Sequence, residues 1–161
     1  MNITILGTGN MAKGLASVFA AGGYDVTLGS RDVARAKETA KALGARIKGD
    51  GLAAAANKSD VIVLAVPFDA AAETIAAAGG LAGKILVDIS NPLTPDYMGL
   101  TVGHSTSAAE EIQKLAPKAK VVKAFNTVFA SVLQGGGKVG KTPVTVFIAG
   151  DDEVANKTVE A

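Results

Sequence analysis

The feature that most constrains this chain is a glycine-rich turn between a short apolar segment and a run with helical character. Ile3–Leu6 has the composition of a β-strand, and Gly7–Ala12 reads G-T-G-N-M-A, which fits the pattern G-x-G-x-x-A. The first glycine allows a tight turn, the second lets a pyrophosphate approach the backbone, and the small last residue lets the following helix pack on the sheet. The N–H groups at the start of that helix then face the phosphates. The turn therefore predicts a dinucleotide site at the beginning of the chain.

Segments of strand and helix character alternate along the 161 residues, which are enough for one domain with a proper core. The continuous apolar run Val61–Ala65 is typical of a strand that is covered on both faces. This alternation predicts the α/β class, with a doubly wound, mostly parallel sheet of the Rossmann type in a single dinucleotide-binding domain over 1–161. Such a sheet binds its ligand beyond the carboxyl ends of the strands.

The pattern also places the individual elements. Asp32 is predicted to cap the second helix, and Ser107 with Glu110 to form a capping box. The predicted strands are Ile3–Leu6, Asp25–Leu28, Arg46–Lys48, Val61–Ala65, Lys84–Asp88, Lys120–Ala124 and Val144–Ala149. The predicted helices are Met11–Ala21, Ala34–Leu43, Leu52–Asn57, Ala70–Ala78, Ser107–Leu115 and Thr127–Leu133, and another begins at Asp152.

Composition and charge exclude several classes of function. The net charge of +1 argues against a general nucleic-acid or membrane-surface binder, and the absence of cysteine excludes disulfides, thiolate catalysis and cysteine-ligated zinc. The first residues, Met1–Thr4, include no basic residue, so we expect no signal peptide. Pro67, Asp69 and Glu73 interrupt the most apolar stretch, Val61–Ala78. We therefore expect a cytoplasmic protein with a small-molecule partner, no nucleic-acid or membrane partner and no metal site.

The residues after the second strand indicate which dinucleotide is bound. An NAD site usually carries an acidic residue there, which binds the 2′-hydroxyl of the ribose, whereas this chain has Gly29-Ser30-Arg31. A serine hydroxyl and a guanidinium suit a 2′-phosphate, and Arg35, one helical turn further on, adds a second positive charge. The sequence therefore favours NADP(H) over NAD(H). Two alternatives stay open: Asp32 contacts a ribose, or both arginines only solvate the start of a helix.

The segment Gly135–Thr142 matches a second phosphate-binding pattern, the P-loop G-x-x-x-x-G-K-T. A P-loop follows a strand and opens a helix. Here the match follows a helix-like segment, and Pro143 and the predicted strand Val144–Ala149 come next. We therefore interpret the match as accidental.

Several short motifs, taken in their order, resemble those of one family. They are the glycine-rich turn, Ser30-Arg31, Val66-Pro67, Asn91-Pro92-Leu93, Ser107-Ala108-Ala109-Glu110 and Lys123-Ala124-Phe125-Asn126-Thr127. Over nearly its whole length the chain resembles the NADPH-dependent coenzyme F420 reductases and their bacterial relatives. The resemblance implies an NADP(H)-dependent oxidoreductase, a homodimer, and hydride transfer between the nicotinamide and a flavin-like acceptor such as F420.

The resemblance also implies roles for individual residues, grouped here by the part of the cofactor they contact. Gly7 forms the turn, and Thr8, Gly9, Asn10 and Met11 bind the pyrophosphate. Ser30, Arg31 and Arg35 bind the 2′-phosphate, and Ala65, Val66 and Pro67 line the path of the adenosine and ribose. Asn91, Ala124 and Asn126 approach the nicotinamide.

Two departures from the family leave the acceptor open. Family members usually extend further at the carboxyl end, where a tail helps to build the acceptor pocket and the dimer, and we expect this chain, which ends at Ala161, to lack that tail. The F420 enzymes carry a histidine where this chain has Asn126. A flavin, a ferric chelate or another small molecule stays open as the acceptor, and so does a non-catalytic NADP(H)-binding module. The turn Gly9–Ala12 is also similar to that of pyrroline-5-carboxylate reductase, so a pyrroline-5-carboxylate or 3-hydroxy-acid reductase is a further alternative.

Few side chains are candidates for catalysis, as suits hydride transfer, which needs proximity and orientation more than acid–base groups. His104, the one histidine, follows a predicted strand end and is a candidate proton donor, with an exposed loop histidine as the alternative. Asn126 is a candidate for binding the nicotinamide amide or the acceptor, with bracing of its loop as the alternative. Asp88 is expected to form bonds at a strand end. Phe68, Phe125 and Phe129 are expected in the core.

Overall fold

The computed structural model describes residues 1–161, and its centre is a six-stranded sheet. The strands are Asn2–Leu6 (β1), Asp25–Ser30 (β2), Ile47–Gly51 (β3), Val61–Leu64 (β4), Ile85–Asp88 (β5) and Lys120–Lys123 (β6). Their spatial order is β3-β2-β1-β4-β5-β6, and each neighbouring pair is parallel. The predicted doubly wound sheet is therefore confirmed. The order changes direction between β1 and β4, where sheets of this kind form a ligand crevice.

Helices connect the strands and cover both faces of the sheet. They are Asn10–Ala21 (α1), Val33–Leu43 (α2), Leu52–Ala56 (α3), Ala71–Ala77 (α4), Ala108–Leu115 (α5), Ala130–Gln134 (α6) and Glu153–Glu160 (α7), and a 3₁₀ turn over Phe68–Ala70 precedes α4. None of them combines the length and the hydropathy that crossing a membrane requires.

The buried side chains form two clusters, one on each face of the sheet. Strand β4 shows why, because successive side chains along a strand point to opposite faces. Ile62 and Leu64 belong to one cluster, with Leu86 of β5 and Ile112 of α5, whereas Val63 belongs to the other. All four residues of β4 are buried. The unbroken apolar run in the sequence is therefore the sign of a central strand with no solvated face.

Three helices begin within one residue of the starts that the sequence predicted. The Asp32 carboxylate accepts a hydrogen bond from the Arg35 N–H (3.0 Å) and caps α2, and Asp152 caps α7 through the Ala155 N–H (2.8 Å). At α5 the Ser107 hydroxyl accepts from the Glu110 N–H (3.2 Å), and the Glu110 carboxylate accepts from the Ser107 N–H (2.6 Å). The predicted caps and capping box are confirmed.

The predicted strand Val144–Ala149 is wrong. Its side chains alternate between half-buried and exposed, and the half-buried ones, Val144, Val146 and Ile148, pack against the core. Only Ala149 pairs with the sheet, through an antiparallel bridge to Lys123 at the edge strand β6. The alternating pattern predicted the alternation in burial correctly. A β-strand also needs a neighbouring strand that pairs with it along its length, and this segment has none.

Two further expectations near the carboxyl end are corrected. The helix predicted from Thr127 begins later, at Ala130, because Phe129 is extended (φ −75°, ψ 144°). Phe129 is also not a core residue, since it is 77% exposed. The P-loop-like segment Gly135–Thr142 contains most of a short antiparallel hairpin, Lys138–Val139 (β7) and Thr142–Pro143 (β8), and no helix follows it directly. This agrees with the interpretation of an accidental match.

The capping box of α5 predicts a specific pH dependence of stability. Hydrogen bonds from Ser107, with a smaller contribution from Thr106, lower the pKa of Glu110 below its ordinary 4.5. A carboxylate whose pKa is lower in the folded state contributes stability above its unfolded pKa and loses it as the pH falls through the folded pKa. Glu110→Gln should therefore be less stable than the wild type at neutral pH, and the difference should close as the pH falls below about 4.5.

Denaturant titrations of both proteins over that range measure the difference. Glu38→Gln removes a charge from an exposed position on α2 and serves as the control. A gap between wild type and Glu110→Gln that stays constant down to the lowest pH would contradict the role given to the Glu110 carboxylate.

Candidate functional site

The turn after β1 is fixed by a close approach to the end of β4. Gly7 has φ +133°, and a Cβ there would lie 2.3 Å from the Ala65 carbonyl oxygen. The Gly7 N–H donates to the Gly29 carbonyl (2.8 Å), and the Ala65 N–H donates to the Leu6 carbonyl (2.9 Å). Both the backbone conformation and the contact therefore require glycine. The ends of β1, β2 and β4 are thereby held side by side.

The space above the next glycine is open. Gly9 is the N-cap residue of α1, and a Cβ built on it meets nothing within 4 Å. No side chain caps this helix, and its first turn carries no acidic residue. Its first N–H groups and the positive end of its dipole therefore face an open crevice, as the binding of a pyrophosphate requires.

The other residues of the turn divide between packing and exposure. Ala12 is fully buried and Thr8 nearly so, whereas Asn10 is exposed and Met11 half-buried. Ala12 thus lets α1 lie against the sheet, as the pattern G-x-G-x-x-A demands. Asn10 and Met11 lie at the first turn of the helix, beside the open space at Gly9.

The end of β2 carries a serine hydroxyl and two arginines, with no carboxylate free for a ribose. The Ser30 hydroxyl accepts a hydrogen bond from the Asp32 N–H (3.2 Å) and keeps its own proton available for donation. Asp32, the alternative ribose contact, already caps α2. Arg31 and Arg35 are exposed. The carboxyl end of β2 therefore carries positively charged side chains, as the binding of a 2′-phosphate requires.

Arg31 has a partner that the sequence did not predict. Its Nη1 lies 2.7 Å from Oε1 of Glu73 on α4, and both side chains are largely exposed. The ion pair joins the end of β2 to the helix that follows β4. The two residues are 42 positions apart in the chain, so only the sheet order brings them together.

Beyond β4, the expected adenosine-lining residues Ala65, Val66 and Pro67 follow the strand directly, Ala65 and Val66 half-buried and Pro67 exposed. At the ends of β5 and β6, the Asn91 side-chain amide donates to the Asn126 carbonyl (3.0 Å). The Asn126 amide in turn lies 3.4 Å from Oδ1 of Asn91. The structure thus brings together the two asparagines assigned to the nicotinamide end.

A buried ion pair lies just before these asparagines in the chain. The sequence did not predict that its two charged residues would pair. Asp88, the last residue of β5, is fully buried, and Nζ of Lys123, the last residue of β6, lies 2.8 Å from its Oδ2. Asp88 was expected to form strand-end bonds, and it does, since Oδ1 also accepts from the Ser90 N–H (2.8 Å). The signal in the sequence was a charged residue at the end of each of two neighbouring apolar strands.

His104 is not joined to this group. It is exposed in the long segment between β5 and α5 and makes no hydrogen bond to Asn91 or Asn126. An apolar cavity of about 220 Å³ also lies apart from the crevice. Met1, Ile3, Phe19 and Tyr24 contribute to its lining, and none of the predicted cofactor-binding residues does. The candidate site is therefore the row of loops at the carboxyl ends of the strands.

The fold and the site define the class: a Rossmann-type dinucleotide-binding domain whose cationic β2 end suits NADP(H). Comparison with known proteins agrees with this assignment. The sequence model of the family described as "NADP oxidoreductase coenzyme F420-dependent" matches residues 2–92, more than half of the chain. The chain belongs to that family.

Individual relatives extend the match over most of the chain. It is 36% identical over 157 residues to Metalloreductase STEAP3 of Rattus norvegicus, covering 98% of this chain and 30% of the relative. It is 32% identical to the F420-dependent NADP reductase of Methanothermobacter marburgensis, covering 83% of this chain and 66% of the relative. A solved structure from Arthrobacter sp. fb24, provisionally assigned as an F420-dependent NADP-reductase, superposes with a TM-score of 0.86 at 32% identity, over 98% of this chain and 77% of that one. The chain thus spans less than a third of the rat relative and about two thirds of the archaeal one.

The two glycines of the turn predict opposite effects of the same substitution. Gly9→Ala meets open space and ordinary backbone angles (φ −75°), so we expect unchanged stability and NADPH binding weakened about tenfold or more by the added methyl group. Gly7→Ala forces a strained φ and a clash, so we expect a loss of stability of roughly 1–3 kcal/mol or more.

Thermal unfolding without ligand, followed by calorimetric titration with NADPH, measures both quantities. Each variant serves as the control for the other. If Gly9→Ala bound NADPH like the wild type, the pyrophosphate would not lie over this turn.

Proposed function

We propose that the protein is an NADP(H)-dependent oxidoreductase that transfers a hydride between the nicotinamide and a small flavin-like acceptor. The observation that supports this most is the combination of the open, uncapped α1 N-terminus at Gly9 with Ser30 and Arg31 at the end of β2. The first suits a pyrophosphate, and the second suits a phosphate on the adenosine ribose. The residues present therefore fit NADP(H), which supplies a hydride from its nicotinamide when bound.

The side chains of this chain bind and orient the cofactor. The first N–H groups of α1 donate to the pyrophosphate, and Ser30, Arg31 and Arg35 bind the 2′-phosphate. Because the adenosine end lies over β2, an extended dinucleotide that crosses the β1–β4 crevice reaches β5 with its nicotinamide end. Asn91 and Asn126 are there, and their amides orient the nicotinamide or the acceptor in front of it. No strong acid or base is needed, since hydride transfer depends chiefly on proximity and alignment.

The identity of the acceptor is proposed from chemistry and from the relatives. A hydride carries two electrons, which suits F420 or a flavin directly, whereas a ferric chelate accepts one electron at a time and needs a flavin between it and the nicotinamide. The relatives' names, an F420-dependent NADP reductase and a metalloreductase, fit these two routes. We propose a flavin-like ring as the immediate acceptor in either case.

A turnover assay distinguishes these acceptors. NADPH oxidation is followed with F420, with FMN, with a ferric chelate alone and with the chelate plus FMN. We expect turnover with at least one deazaflavin or flavin, activity on the chelate only when the flavin is present, and a primary isotope effect with NADPH deuterated at the transferred position. Tight NADPH binding without turnover on any acceptor would instead support a non-catalytic binding module, and activity on pyrroline or 3-hydroxy-acid substrates would support the other reductase classes.

The 2′-phosphate assignment predicts selective effects of substitutions at the end of β2. Replacing Ser30 and Arg31 by Ala should weaken NADPH binding by about 1–3 kcal/mol, through lost charge-assisted hydrogen bonds, and should leave NADH binding almost unchanged. Calorimetry with both cofactors measures this. Arg46→Ala removes an exposed arginine at the amino-terminal ends of β2 and β3, where it pairs with Asp25 (3.7 Å), and is the control. Equal losses for the two cofactors would rule out the 2′-phosphate role.

The ion pair between Arg31 and Glu73 predicts a change in the opposite direction. Arg31 must share or release the Glu73 carboxylate when it binds a phosphate, and that carboxylate also repels the phosphate. Glu73→Gln should therefore tighten NADPH binding, by at most about fivefold because exposed ion pairs contribute roughly 0–1 kcal/mol. NADH should respond less. The neutral substitution Glu153→Gln on α7 is the matched control, and weaker NADPH binding in Glu73→Gln would show that Glu73 supports Arg31 instead.

A further inference from the structure

The ends of β5 and β6 are joined by a buried pair of opposite charges. Asp88 and Lys123 are register partners in the parallel ladder. Asp88 is fully buried, the Lys123 side chain is 22% exposed, and Nζ lies 2.8 Å from Oδ2. Neither residue belongs to the proposed cofactor contacts. A pair this costly to desolvate calls for a structural or functional reason.

The same two side chains also bind the residue at which the chain leaves β5. Nζ of Lys123 donates to the Ser90 carbonyl, and Oδ1 of Asp88 accepts from the Ser90 N–H (2.8 Å). Both backbone groups of Ser90 are therefore bound by the ion pair. The Ser90 hydroxyl takes no part, because it is buried without a hydrogen-bond partner. The path of the chain toward Asn91 is thus set by the charges of Asp88 and Lys123.

The loop after β6 is fixed to the same point. The Ala124 N–H donates to the Asp88 carbonyl (3.1 Å). Phe125 follows with φ +59°, a conformation that a bulky residue adopts only where its surroundings impose it. This turn brings Asn126 beside Asn91, whose amide donates to the Asn126 carbonyl (3.0 Å). Two loops that carry one asparagine each are therefore held in register with each other.

We propose that Asp88 and Lys123 are positioning residues, which hold the loops after β5 and β6 so that Asn91 and Asn126 meet the nicotinamide half of the dinucleotide. The inference rests on the proposed NADP(H) function. The two halves of the cofactor are then held in different ways. Exposed groups at β1 and β2 bind the adenosine half, whereas loops aligned by a buried ion pair bind the nicotinamide half. Loss of the pair should therefore affect one half of the cofactor and not the other.

Measuring the binding of two ligands tests the two halves of the cofactor site separately. Adenosine 2′,5′-bisphosphate carries the adenosine and its 2′-phosphate without the nicotinamide, and NADPH carries both. The test variant is Asp88→Asn combined with Lys123→Met, which removes both charges together and leaves no buried charge unpaired. Asp88→Asn alone carries the same test if the double variant fails to fold, because Asn retains an oxygen for the Ser90 N–H and leaves Lys123 access to water.

We expect the double variant to bind adenosine 2′,5′-bisphosphate like the wild type and to bind NADPH roughly three- to tenfold more weakly, the effect of losing one or two hydrogen bonds. Turnover with the active acceptor should fall at saturating NADPH as well, since alignment is lost. The single variant Lys123→Arg keeps the charge and should bind NADPH with nearly the affinity of the wild type. Lys120→Met removes the lysine at the other end of β6, which pairs with Asp152 (3.0 Å), and is the matched control.

The results separate this inference from the function on which it rests. Equal affinities of the double variant and the wild type for NADPH, or equal losses for both ligands, would overturn the positioning role and leave the ion pair as a link that only stabilises the fold. If the wild type bound neither NADPH nor adenosine 2′,5′-bisphosphate, the proposed function itself would fail.

Discussion

The pairing of β1 with β4 is the constraint on which the rest of the structure depends. It places Leu6 beside Leu64 and brings the Ala65 carbonyl so close to position 7 that only glycine fits there. Strand β1 lies between β2 and β4, so the two halves of the chain extend the sheet in opposite directions from β1. The crevice between the two halves follows from that topology, and every candidate cofactor residue lies at or beyond the carboxyl end of a strand of the sheet.

Charge is used differently at the two ends of the crevice. At the end of β2, Arg31 and its partner Glu73 are exposed, so their interaction is screened by salt and is easily exchanged for a phosphate. At the ends of β5 and β6, Asp88 and Lys123 are largely shielded from solvent. They therefore maintain a geometry and do not exchange partners. An exposed, adjustable site for a charged group and a rigid site for a reacting ring are what the proposed hydride transfer requires.

The family model matches residues 2–92, which carry all of the proposed adenosine and pyrophosphate contacts and reach just past Asn91. Under the proposed function, the acceptor is selected by the residues that lie in front of the nicotinamide. The residues proposed for that position are Asn91 and Asn126, whose loops are joined by a hydrogen bond. Proteins with the same dinucleotide half can therefore differ in their acceptors, as the names of the rat and archaeal relatives illustrate.

The sequence by itself determined what depends on neighbouring residues: the glycine turn at Gly7 and Gly9, the caps at Asp32 and Ser107, and the apolar run of a buried central strand. These are local because a turn, a cap or a strand face is specified within a few residues. Only the tertiary structure decided what depends on distant partners. Val144–Ala149 has the alternation of a strand but no continuous neighbour, and the pairs Arg31–Glu73 and Asp88–Lys123 exist only because the sheet order brings separate segments together. The sequence thus located the candidate dinucleotide site, while the packing of the strands decided which charges would surround that site and how firmly each is held.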